Sequence, residues 1–113
     1  MKKAMTAVVK QMKNGDDFFL TLSDELEYII SPLQKDLIEI LLTQGAKSRE
    51  ELVMAVDRAR TTIYDNLMRL SKINIVKKFP RPRNDVGRPV IYFKLTEEFK
   101  QALKEKENGK RNS

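Results

Sequence analysis

Arg60-Thr61-Thr62-Ile63-Tyr64-Asp65-Asn66-Leu67-Met68-Arg69-Leu70-Ser71-Lys72 is the stretch on which the reading of the fold turns. Ile63, Leu67 and Leu70 fall at i, i+4 and i+7, the spacing of one face of an α-helix. At about 100° per residue the opposite face carries Thr61, Asp65, Met68 and Lys72, flanked by Tyr64 and Arg69. Three apolar residues tie this helix to a core, and the face it turns outward is polar and rich in hydrogen-bonding groups.

Upstream, two helix starts are written in the same chemistry. Ser31-Pro32-Leu33-Gln34 offers a Ser cap, Pro at the first helical position and Gln three residues after the cap. The helix it opens runs to about residue 44, with Leu33, Leu37, Ile40 and Leu41 on one face and Gly45 to end it. Ser48-Arg49-Glu50-Glu51 repeats the capping box and opens a short helix carrying Leu52, Val53 and Val56. A tight turn at Asp57 and Arg58 separates this helix from the one at 60–72.

Downstream, residues 73–79 are rich in β-branched side chains, and over 90–95 Ile91, Phe93 and Leu95 alternate with Val90, Tyr92 and Lys94. The two segments read as a hairpin. Its connection, residues 80–89, is long for a hairpin loop and holds Pro80, Pro82, Gly87 and Pro89 among basic side chains. Between Lys77 and Arg88 the net charge is +4. Concentrating like charge in a stiffened loop costs self-repulsion, which points to a polyanion as its partner.

At the ends, Met1, Ala4, Met5, Val8, Val9 and Met12 recur at helical spacing, which predicts an amphipathic helix over 1–13. Residues 18–22 are an apolar link, short strand or packed coil. Ser23 is expected to cap a short helix with Leu26, Ile29 and Ile30 inward. Thr96 caps a terminal helix with Phe99, Ala102 and Leu103 on one face, and residues from Asn108 onward are expected to be disordered. The expected organisation is a helical extension over 1–30, a core domain over 31–95, and a helix and tail over 96–113.

At 113 residues the chain suits one domain. Its formal charge of +6 is unevenly spread. Residues 1–21 carry four basic and two acidic groups, residues 22–57 three and eight, and residues 58–113 fifteen and six. One surface should be strongly positive, as in proteins that lie on nucleic acid. Cys and His are both absent, which excludes disulfides, thiolate and Ser-His-Asp nucleophiles and Cys/His zinc sites. The acid pairs Asp16-Asp17 and Glu50-Glu51 lie in a turn and a capping box, so the chain reads as a non-enzyme with no cofactor and no metal site. Lys10 interrupts the apolar run after Met1-Lys2-Lys3 too early for a signal peptide or a membrane span, and a cytoplasmic, nucleoid-associated protein is expected.

Three short helices, a tight turn before the third and a basic-tipped hairpin follow the order of a winged helix-turn-helix. Residues 60–70 resemble the recognition helix of the MarR and ArsR class of regulators. Gly87-Arg88-Pro89-Val90-Ile91-Tyr92-Phe93-Lys94-Leu95-Thr96 is similar to the wing and following strand of ArsR, PadR and small archaeal winged-helix regulators. The resemblance covers about 33–99. It implies a mainly α fold with a β-hairpin wing (α+β), extended by N- and C-terminal dimerisation helices.

A helix fits the major groove of B-DNA, where hydroxyls, amides and guanidinium groups read base edges, while cations on a wing reach phosphates or the minor groove. By position, Thr61, Thr62, Tyr64, Asp65 and Arg69 lie nearest DNA, with Arg58 and Arg60 at the helix approach. Arg81, Arg83 and Arg88 form the wing set, and Lys77 and Lys78 add phosphate contacts from the stem. Asp65 is expected to pair with Arg69 one turn later rather than accept from a cytosine amino group. The stripe Met1, Met5, Val8 and Met12 is expected to meet Phe99 and Leu103 of a second subunit, the alternative being packing on its own domain.

The function so read is a sequence-specific regulator binding double-stranded DNA as a homodimer. The rival is a winged helix that docks proteins through its acidic 22–57 segment, or one that binds chromatin without sequence preference. Nothing in the sequence identifies a small-molecule effector.

Overall fold

The computed structural model describes residues 9–12, 16–21, 27–82 and 87–112, the last seven of these as backbone. In chain order the elements are β1 (Val9–Gln11), β2 (Phe18–Thr21), β3 (Glu27–Ile30), α1 (Pro32–Gln44), β4 (Lys47–Ser48), α2 (Arg49–Val56), α3 (Arg60–Lys72), β5 (Val76–Arg81), β6 (Val90–Leu95) and α4 (Glu97–Asn112). They form α+β architecture with two three-stranded antiparallel sheets, ordered β1-β2-β3 and β4-β6-β5.

Both expected capping boxes are present. Ser31 Oγ accepts from the Gln34 backbone N–H at 3.2 Å while Gln34 Oε1 accepts from the Ser31 N–H at 3.0 Å. Ser48 and Glu51 make the same exchange at 3.2 and 2.9 Å. Each box satisfies amides that a helix start otherwise leaves unpaired. Ser48 also sits in β4, where it pairs with Tyr92, so one residue ends the strand and begins α2.

The core joins all layers. Leu37, Ile38 and Leu41 of α1, Leu52 of α2, and Ile63, Leu67 and Leu70 of α3 pack with Ile75, Val76, Phe93 and Leu95 around the hairpin. Leu20 and Ile30 of the N-terminal sheet and Phe99 and Leu103 of α4 complete it.

α3 ends in a Schellman motif. Asn74 stands at φ 64°, with its N–H on the Ser71 carbonyl at 3.0 Å and the Ile75 N–H on the Leu70 carbonyl at 3.0 Å. The β-branched run from Ile73 therefore first turns a corner, and the strand begins at Val76, three residues later than the start of that run. Pro80 lies inside β5, which is an edge strand and can lose an N–H without breaking the sheet. Thr96 locks the corner: its hydroxyl donates to the Asn74 carbonyl at 2.8 Å and accepts from the Phe99 N–H at 3.1 Å, capping α4 as expected.

The N-terminal region differs from its expectation. Val9–Gln11 is a strand paired with β2, and Ile29 and Ile30 lie in β3 rather than in a helix. Phe18, Leu20, Tyr28 and Ile30 share the inner face of this sheet by register, and Leu20 is fully buried. A strand that deep must pair its backbone on both sides, and that demand overrides the weak helical preference of a short apolar run. Met1, Met5, Val8 and the Ser23 cap lie outside the described residues. At the other end α4 continues to Asn112, so the expected disorder from Asn108 gives way to helix.

Candidate nucleic-acid interface

α3 is anchored by Ile63, Leu67 and Leu70, all buried, and turns Thr61, Thr62, Asp65, Arg69 and Lys72 to the surface. Met68, expected on the outward face, packs instead against the core. Asn66 turns its side-chain amide back onto the Thr62 carbonyl at 2.8 Å. Arg58 is exposed in the turn before α3. That turn is made possible by Asp57, which adopts a left-handed conformation (φ 54°, ψ 53°) and bonds its N–H to the Val53 carbonyl. Asp and Asn are the side chains that tolerate this conformation best after Gly.

Arg60 is drawn to Glu50 of α2, with its Nη2 2.8 Å from Glu50 Oε2. Both side chains are more than half exposed, so the pair positions the start of α3 more than it stabilises the fold. Among the described residues Lys35–Glu39, Arg60–Glu50 and Lys100–Glu97 are ion-paired, but the expected Asp65–Arg69 pair is not formed. Asp65 is exposed and has no ion-pair partner among the described residues.

Between α2, α3 and the hairpin lies an open cleft of about 430 Å³, lined by Arg49, Glu50, Tyr64, Lys78, Val90, Ile91 and Phe93. Tyr64 of α3 and Lys78, Val90 and Ile91 of the hairpin meet across it, so the helix and the wing open onto one side of the molecule. Arg49 is the residue the sequence did not single out. Its guanidinium lies 5.4 Å from the centre of the half-buried Tyr64 ring, and neither Arg49 nor Lys78 takes part in an ion pair among the described residues. Glu50, the acid nearest in sequence, is committed to Arg60. The cleft is therefore a positive surface with an apolar wall.

The hairpin register divides the wing cations. Lys78 faces Phe93 across the ladder and looks toward the helices, whereas Lys77 faces Lys94 and looks away from them. Two adjacent lysines grouped together in sequence thus belong to opposite faces. Arg81 and Arg88 are exposed at the hairpin end, and Arg83 lies outside the described residues. Phe99 and Leu103, expected to meet a second subunit, are 2% and 7% exposed and spent on the protomer's own core; Met12 is half-buried. These two side chains are therefore not free to meet a partner. Among the described residues the large apolar side chains left exposed are Ile29 (59%), Met54 (85%) and Ile91 (43%).

Among the described residues no helix is long and apolar enough to cross a membrane, and no cluster of acids could hold a metal ion.

The fold is shared with solved winged-helix proteins. The transcriptional regulator Tm0710 from Thermotoga maritima aligns over 73% of this chain and 56% of its own, with TM-score 0.58 and 20% identity. YusO from Bacillus subtilis aligns over 73% and 56%, with TM-score 0.55 and 21% identity. The adhesin competence repressor AdcR from Streptococcus pyogenes aligns over 73% and 58%, with TM-score 0.53 and 21% identity. The chain spans little more than half the length of these structures. No protein-family model and no curated protein matches the sequence significantly. The winged-helix fold expected from the recognition-helix and wing motifs is the fold observed.

Proposed function

We propose that the chain is a sequence-specific transcriptional regulator that binds double-stranded DNA as a homodimer, in the cytoplasm at the nucleoid. Thr61, Thr62, Asp65 and Arg69 enter the major groove, Tyr64 flanks them, and Arg58 approaches the adjacent backbone. Arg60 acts through Glu50 to hold the start of α3. Arg49 and Lys78 take phosphates at the cleft, and Arg81, Arg83 and Arg88 take them at the wing.

The observation that carries this reading is the shared cleft. A core-anchored helix with a free polar face and a basic hairpin border one opening, so a single duplex can touch both. The solved structures that share the fold include proteins described as a transcriptional regulator and a repressor, which supports the same reading.

Selection of bound duplexes from a random pool tests it. Enrichment of a two-fold-related site with half-sites about one helical turn, ~34 Å, apart is expected. A pool that shows no enrichment after several rounds, whether binding is weak or strong, overturns sequence-specific recognition.

A further inference from the structure

The ribbon of β5 and β6 has a second face from which this reading uses only Arg81, at its end. Register places Lys77 opposite Lys94 and Phe79 opposite Tyr92, with Arg81 two residues beyond Phe79 on the same side. These residues share the side away from Val76, Phe93 and Leu95, which are buried in the core. On that side the Arg81 guanidinium lies 4.3 Å from the centre of the Tyr92 ring and 5.6 Å from that of Phe79. Lys94 Nζ lies 5.1 Å from the Phe79 centre, and the two rings stand 6.1 Å apart, tilted by 35°.

Neither strand contains an acid, and Lys77, Arg81 and Lys94 join no ion pair among the described residues. Two lysines directly opposed across an antiparallel pair repel one another. Cation–π contacts stiffen the ribbon but leave its positive charge uncompensated. Two half-buried rings on a sheet face turned away from the core are also more apolar surface than such a face needs.

We propose that this outer face binds single-stranded nucleic acid. Unpaired bases stack on Tyr92, Phe79 and the Arg81 guanidinium plane, and phosphates sit on Lys77 and Lys94. A duplex hides the faces of its bases and an acidic peptide has none, so either would use the charge and leave the rings idle. Because α3 lies on the other side of the ribbon, the two rings and the two lysines are separate from the duplex surface, with which the site shares only Arg81, and the site does not rest on the proposed function.

The chain has three Tyr and no Trp, so stacking is readable in tyrosine fluorescence. Titration of the full chain with an oligothymidylate about twenty nucleotides long should quench that fluorescence. Tyr92→Leu should lower the affinity at least about tenfold while changing affinity for a random-sequence duplex less than about twofold. The double variant Lys77→Gln/Lys94→Gln should make the single-strand salt dependence shallower by about 1.4 in log–log slope. Arg69→Ala should weaken duplex binding alone. The proposal is overturned if oligothymidylate binds no better than poly-glutamate of equal charge, or if Tyr92→Leu weakens duplex and single strand equally. Should Tyr92→Leu fail to fold, the lysine variant, whose altered side chains fill no core, decides by the same slope. Loss of duplex binding with oligothymidylate binding intact would sink the regulator reading and leave this one standing.

Discussion

Lys77 and Lys78 are neighbours in sequence, identical in charge and both exposed, yet they should behave differently toward a duplex. Each phosphate contact contributes about 0.9 to the log–log slope of affinity against salt. Over a fourfold rise in salt, from about 50 to 200 mM, one contact therefore accounts for about 3.5-fold of the loss in affinity. Lys78 lines the cleft with Arg49, so Lys78→Gln and Arg49→Gln should each make the slope shallower by about 0.9, and the double variant by about 1.8. Lys77 points to the other face with Lys94, and Lys77→Gln should leave the duplex slope unchanged. Among the described residues none of these side chains belongs to an ion pair or to the buried core, so stability should stay within about 0.5 kcal/mol, as for most surface changes. The assay is fluorescence anisotropy of a labelled duplex of about 25 base pairs across that salt range, with thermal melting as the control. Equal slope changes for Lys77→Gln and Lys78→Gln would refute the division of the wing into two faces.

Thr96→Val keeps the shape of a buried residue but removes the hydroxyl shared by the Asn74 carbonyl and the Phe99 N–H. It should cost about 2 kcal/mol in a denaturant melt, through a lost cap and two groups without partners. Asp57→Gly should be neutral or slightly stabilising, whereas Asp57→Val, forced into the left-handed region, should cost about 1 to 2 kcal/mol by the same measurement. Thr61→Ala should relax sequence preference in a competition assay against mismatched sites. Arg81→Ala and Arg88→Ala should instead weaken binding to every duplex about equally; loss of preference on changing Arg88 alone would assign base reading to the wing.

The helices were legible wherever local chemistry and tertiary demand agree. Ser31, Pro32 and Gln34, then Ser48 and Glu51, announce their helix starts through side chains that satisfy nearby amides, and no distant residue is needed to read them. The α3 boundaries followed from Ile63, Leu67 and Leu70, because a strong three-point stripe between an exposed turn and a Schellman corner leaves little room for another register. Of the N-terminal strands, residues 18–22 were read as short strand or packed coil, and the strands at Val9–Gln11 and Glu27–Ile30 were not legible. Val9, Lys10 and Gln11 gain their partner only from Phe18, Phe19 and Leu20, and the helical stripe of methionines around them is a local signal that a non-local pairing overrides. For the same reason the sequence assigned Phe99 and Leu103 to a partner subunit, since it shows an apolar face but not what covers it. Arg49 was hidden inside its own capping box, where the signature accounts for Ser48 and Glu51 and draws attention away from the residue between them. Only the hairpin register could separate Lys77 from Lys78.

The most direct measurement is the change in backbone amide NMR shifts when the full chain binds its selected duplex. Shifts concentrated in 58–69, at Arg49 and Lys78, and at the hairpin end are expected, with α1 and the N-terminal sheet little affected. Shifts confined to α1 or to the sheet of Val9, Phe19 and Ile29, with α3 unmoved, would contradict the claim that the helix and the wing grip one duplex together.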